Sequence, residues 1–150
     1  MKHLALIAGF AIAATSVCSA ETAPADVMYD EGVVAASLTG VAGDPASGRN
    51  IFKNRKQGNC LACHINSDMP EEQFHGEVGP PLDGVADRWS EGEIRGIVSN
   101  AKMVFDGTIM PAFYQDADHT RPLKKFAGKS ILTAQQVEDV IAYLTTLKEE

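Results

Sequence analysis

Cys60-Leu61-Ala62-Cys63-His64 is the stretch that decides how this chain is read. Two cysteines separated by two residues and followed at once by histidine form the attachment sequence for a covalent haem c. The spacing has a chemical cause. Each thiol adds to one of two haem vinyl groups, and two intervening residues let one helical turn span the gap between them. The histidine is then held beneath the iron as proximal ligand. The stretch predicts one covalently bound haem c, with Cys60 and Cys63 as thioether links and His64 as an iron ligand.

Two other chemistries use closely spaced cysteines. A thiol–disulfide oxidoreductase of thioredoxin type sets its pair beside a βαβ pattern, at a helix start that lowers the thiol pKa. No such pattern surrounds Cys60. A zinc site needs further ligands, and His75 and His119 stand at no zinc-binding spacing.

The third cysteine, Cys18, belongs to a targeting segment. Lys2 precedes an uncharged run of 11 residues, Leu4 to Ala14, which breaks at Thr15-Ser16. Cys18 and Ala20 then place small residues at the −3 and −1 positions of a cleavage site after Ala20. Residues 1–20 read as a signal peptide. The run is too short for a permanent membrane anchor, which needs about 20 apolar residues. A lipid anchor on Cys18 is the competing reading, disfavoured by the bulky Val17 before it. Cleavage leaves Cys60 and Cys63 as the only thiols, and an exported protein does not use two cysteines so close together as a staple.

The 150 residues carry 13 Lys+Arg against 20 Asp+Glu, and losing Lys2 takes the formal charge from −7 to −8. An acidic balance argues against a nucleic-acid partner. Apolar residues at 45% and charged residues at 22% exclude wholesale disorder, and the length suits one domain. Residues 21–47 read as an N-terminal extension, rich in Ala, Gly, Pro and acids, either loosely ordered or laid on a partner. Residues 48–150 read as the domain.

Three helices are predicted, with no convincing strand, so the fold is mostly α. Asp44-Pro45 supplies an N-cap and a first-turn proline for a helix running through Ile51 and Phe52 toward Gly58. Ser90 with Glu93 forms a capping box ahead of Ile94, Ile97 and Val98. Thr133 with Gln136 forms a second, followed by Val137, Val140, Ile141, Leu144 and Leu147 at helical spacing.

The iron's second axial ligand must come from elsewhere in the chain. Met28 lies in the extension, and Met69 is too near His64 for the chain to pass round the haem edge. Met103 ends an apolar helical stretch, where a core role is expected. Met110 stands in the turn-rich Gly107-Thr108-Ile109-Met110-Pro111, which its proline holds extended. Met110 is preferred over Met103, with histidine third, and a thioether ligand would favour ferrous iron and suit electron transfer.

The Cys-x-x-Cys-His motif, the loop Val78-Gly79-Pro80-Pro81-Leu82, the Met-Pro loop and the aromatic-bearing last helix together resemble class I cytochrome c. The resemblance implies crossing first and last helices, meeting at Gly48, Phe52 and Tyr143-Leu144, around a covalent haem. It also implies that the Pro80 carbonyl accepts a hydrogen bond from His64 Nδ1 and so orients the ligand.

A narrower resemblance covers most of residues 48–147. Gly48-Arg49-Asn50-Ile51-Phe52 through His64, Phe74-His75-Gly76 through Ala86, and Gly107-Thr108-Ile109-Met110-Pro111-Ala112-Phe113-Tyr114 are similar to SoxX, the monohaem cytochrome family of SoxAX complexes. It implies a periplasmic electron relay with a SoxA-like partner subunit. Such a complex is an L-cysteine S-thiosulfotransferase, joining thiosulfate oxidatively to a cysteine of the SoxYZ carrier. The catalytic cysteine would lie on the partner, with no catalytic residue on this chain, and a soluble cytochrome would take the electrons. A free-standing periplasmic cytochrome shuttle is the alternative.

The remaining candidates have bland readings. Trp89 is read either as a neighbour of the haem propionates or as an ordinary half-buried aromatic. His75 and His119 are expected at the surface. Arg55, Lys56, Lys124, Lys125 and Lys129 read as a solvated face, with steering of an acidic partner as the sharper alternative.

Overall fold

Four α-helices carry the fold in a computed structural model that describes residues 20–117, 119 and 121–149: α1 Pro45–Lys53, α2 Val85–Arg88, α3 Glu91–Asn100 and α4 Ala134–Leu144. The predicted signal peptide, apart from Ala20, and Cys18 with it lie outside the described residues. No strand occurs among the described residues, where a single bridge pairs Asp30 with Val33. None of their helices is long and apolar enough to cross a membrane.

The predicted caps are present. Asp44 accepts from the Ala46 amide at 3.0 Å, and both Ser90–Glu93 and Thr133–Gln136 close complete capping boxes. Two helix ends fall earlier than the apolar spacing implies. α1 stops at Lys53 because the Asn54 side chain accepts from the Lys56 amide at 2.9 Å, a local bond that competes with the next helical turn. α4 stops at Leu144, after which Thr145 and Thr146 donate their hydroxyls back to the Ala142 and Tyr143 carbonyls at 2.9 and 2.7 Å.

α1 and α4 cross in close contact. A Cβ on Gly48 would lie 1.9 Å from the Asp139 carbonyl oxygen, so only glycine permits this approach. Phe52 then meets Tyr143 edge-on at 5.6 Å. Phe52, Leu132, Val137, Val140 and Ile141 are almost completely buried, and each such side chain favours folding by about 1.5–3 kcal/mol.

The extension is part of this core. Val34 and Leu38 are 3% and 1% exposed, which overturns a loosely ordered reading of residues 21–47. Its backbone reaches α3 because Gly92 and Gly96 leave room: a Cβ on Gly96 would sit 1.9 Å from the Gly32 carbonyl oxygen. The contact is locked by a buried ion pair. Arg95, 3% exposed, meets Glu138, 4% exposed, at 3.0 Å, and also donates to the Val34 carbonyl at 3.0 Å. Glu138 in turn accepts from the Leu38 amide at 2.7 Å. Any partner contact of the extension is left to its outer face, where Met28 and Val41 are 83% and 61% exposed.

Candidate functional site

Cys60–Ala62 forms a single 3-10 turn entered through Asn59 in the left-handed region. The amides of Cys63 and His64 both donate to the Cys60 carbonyl, at 3.1 and 3.0 Å, so the two thiols and the imidazole project from one tight turn. The loop at residues 76–82 lies along this segment. Gly76, Gly79 and Leu82 donate their amides to the carbonyls of Leu61, Cys63 and Ile65 at 2.7, 2.8 and 2.9 Å.

That lacing fixes His64. Its Nδ1 lies 2.7 Å from the Pro80 carbonyl, which can only accept, so Nδ1 carries a proton and Nε2 is the nitrogen left for a metal. Gly79 packs against the ring, where an added Cβ would sit 2.3 Å from Cε1. Burial pushes the Cys60 thiol up to about 12, the opposite of what a thioredoxin-like nucleophile needs. Among the described residues no three His, Cys, Asp or Glu side chains gather as a zinc site would require.

The methionines separate by burial. Met69 is 0% exposed and closed inside the core, whereas Met28 is 83% exposed. Met103 is 54% exposed, against its expected core role. Asn100 accepts from the Lys102 amide at 3.1 Å and turns the chain there, so Ala101 fills the core position and Met103 faces out. Met110 is partly buried and packs against the core that also holds Cys60, Leu82, Trp89 and Ile131 in the same half-covered state. Two thiols and an oriented imidazole projecting from one tight turn make a donor set that fits haem c.

Other predicted residues resolve into local roles. Trp89 is half-buried and edge-on to Phe105 at 5.9 Å. His75 is half-buried with both nitrogens engaged, accepting from the Asn66 amide at 3.1 Å and donating to the Met69 carbonyl at 3.2 Å, which corrects its surface reading. His119 donates through Nε2 to the Gln115 carbonyl at 2.8 Å and is likewise only half-exposed. Arg55, Lys56, Lys124, Lys125 and Lys129 are exposed, and Lys125 lies 4.4 Å over the Phe126 ring.

A polar relay behind the haem-attachment turn was invisible in the sequence. Buried Asn66 donates to the Tyr143 hydroxyl at 2.8 Å, and Tyr143 donates to Asp68 at 2.7 Å. Arg49 of α1 binds Asp68 and Glu71 at 3.1 and 2.8 Å. Burial, and then the bond to Asp68, push the Tyr143 phenol above its ordinary range. Arg49 beside Glu71 pulls that carboxyl down to about 2. The relay ties both crossing helices to the residues just after His64.

Crossing terminal helices, a Cys-x-x-Cys-His turn and a histidine set against a Gly-Pro loop define a class I cytochrome c. The cytochrome c family model matches residues 45–148, and the chain belongs to that family, whose cofactor is covalently bound haem c. Within it, the chain is a monohaem cytochrome of SoxX type. The crystal structure of SoxXA from P. pantotrophus is 52% identical, with 87% of this chain and 100% of that chain covered at a TM-score of 0.82. The c-type cytochrome SorU from Sinorhizobium meliloti is 28% identical over 69% of this chain and 90% of that one, with a TM-score of 0.46. No curated protein sequence matches the chain.

Proposed function

We propose that this chain is the electron-accepting subunit of a periplasmic complex that oxidises thiosulfate onto a carrier protein. The observation that carries the relay role is the oriented His64, with Nδ1 bound to Pro80 and Nε2 free to coordinate. Cys60 and Cys63 would hold the haem as thioethers, His64 and Met110 would ligate its iron, and Pro80 orients the imidazole. The haem supplies one-electron redox chemistry when bound. The chain's own residues would fix its position through Cys60, Cys63 and the Pro80-oriented His64, with Met110 as the second iron ligand.

The SoxXA likeness over that chain's whole length supports a SoxA-like subunit as the stable partner. In this reading the complex joins thiosulfate to a cysteine of SoxYZ with release of two electrons. The reacting cysteine is on the partner, and a soluble cytochrome removes the electrons one at a time. Export through the signal peptide, with cleavage after Ala20, puts the complex in the periplasm. The outer face of the extension, with exposed Met28 and Val41, is a candidate contact with that partner.

The test is an affinity pull-down of the mature holoprotein from thiosulfate-grown cells, with the partner identified and its cysteines and haems counted. A stoichiometric cytochrome subunit carrying a cysteine outside its haem motifs is expected. Recovery of a lone monomer would replace the proposal with a free-standing cytochrome shuttle.

A further inference from the structure

The segment carrying Met110 touches the N-terminal extension at both of its ends. At the first, Gly32 sits at φ +88° in the tight turn closed by Asp30 and Val33, where an added Cβ would lie 3.2 Å from Val104 Cγ2. At the second, Tyr114 is 3% exposed, and its hydroxyl donates to the Thr22 carbonyl at 2.6 Å. Between them Lys102 Nζ holds the Met110 carbonyl at 2.6 Å, and the Met110 amide donates to Thr108 Oγ1 at 3.2 Å.

The extension cannot slide. Thr22 donates to the Leu38 carbonyl at 2.7 Å and Val34 to the Gly92 carbonyl at 3.0 Å, while Arg95 and Glu138 grip Val34 and Leu38 from α3 and α4. A buried phenol needs a partner for its hydroxyl, and for Tyr114 the extension supplies it.

From this geometry we infer that residues 21–34 form a strap that holds the Met110 segment against the haem, with Tyr114 as the positioning residue that joins them. The inference rests on Met110 being an axial ligand. A thioether is a weak ligand, so its retention depends on how seldom its loop swings away. An external ligand that binds only the open form has an apparent affinity proportional to the open fraction.

The probe is imidazole, titrated into the ferric mature holoprotein and followed by loss of the sulfur-to-iron charge-transfer absorption, with the Soret shift as a second readout. Tyr114→Phe removes the hydroxyl that bonds Thr22 and, more weakly, Glu21, and is expected to raise the apparent imidazole affinity about fivefold. Gly32→Ala, strained at its positive φ and pressed on Val104, moves it in the same direction. In a Met110→Ala background, where the Soret shift reports binding, the Tyr114→Phe increase should vanish, because the strap acts only through Met110. Unchanged affinity in both single variants, or the same increase without Met110, would overturn the strap. Parental imidazole affinity in Met110→Ala itself would overturn the axial assignment, and the strap with it.

Discussion

Gly79→Ala tests the part of the site that the structure defines most sharply. The new Cβ would lie 2.3 Å from His64 Cε1, 2.7 Å from Nδ1 and 2.9 Å from Nε2. An ordinary carbon–carbon contact is about 3.5–4.0 Å, so the ring or the loop must retreat by about 1.2 Å or more. Neither moves freely: the loop amides are bonded to the Cys63 and Ile65 carbonyls, and Nδ1 is bonded to Pro80. Overpacking of this kind costs about 1–3 kcal/mol, and loss of the Nδ1 bond adds about 1 kcal/mol. At about 3–5 °C per kcal/mol, thermal unfolding should fall by roughly 10 °C. The imidazole also loses the partner that raises its basicity, so the reduction potential should rise. Gly128→Ala is the control, outside the Met110 loop. Its φ is +65° with nothing within 4 Å of the added Cβ, so it incurs backbone strain of about 1–2 kcal/mol and leaves the potential alone. Redox titration and thermal melts of the two holoproteins decide the matter. A parental potential in Gly79→Ala, with a melting loss no larger than that of Gly128→Ala, would refute the account of how His64 is held.

Two further outcomes follow from the charged groups. Arg95→Met strands Glu138, 4% exposed, without its cation and should cost about 3–5 kcal/mol in urea unfolding; a loss under about 1 kcal/mol would mean that the extension is not gripped as described. Glu71, held down to about 2 by Arg49, contributes stability that is fully present above the unfolded carboxylate value and is lost as pH falls through about 2. Glu71→Gln should therefore be less stable than the parent at pH 7, with the difference closing between about pH 4.5 and 2; a gap independent of pH would rule out this pair as its source.

How far the sequence could be read depended on the range of each interaction. The caps at Asp44, Ser90 and Thr133 are bonds between residues two or three positions apart, so their partners stand together in the chain. The early ends of α1 and α4 also follow from neighbours, Asn54 and the Thr145-Thr146 pair, although the apolar spacing runs on past them. Met103 was misplaced because spacing cannot register the turn that Asn100 imposes. The Asn66–Tyr143 bond spans 77 positions and the Arg95–Glu138 pair spans 43, and nothing local marks either as paired. The Gly92-x-x-x-Gly96 spacing on α3 is the local signal that could have marked the close approach of another backbone, since an added Cβ on Gly96 would meet the Gly32 carbonyl.

By itself, the sequence determined the chemistry of this protein. Cys60, Cys63 and His64 must be adjacent for one turn to serve both links and one iron face, and adjacency is what a sequence records. Tertiary structure alone decided what surrounds that turn. It closes Met69 inside the core, leaves Met28 and Met103 exposed and holds Met110 half-covered against the core's edge, because burial is set by packing among α1, α3 and α4. It also turned the extension from an apparent tail into a strap, through a buried charge pair whose members reach one another only after the helices have packed.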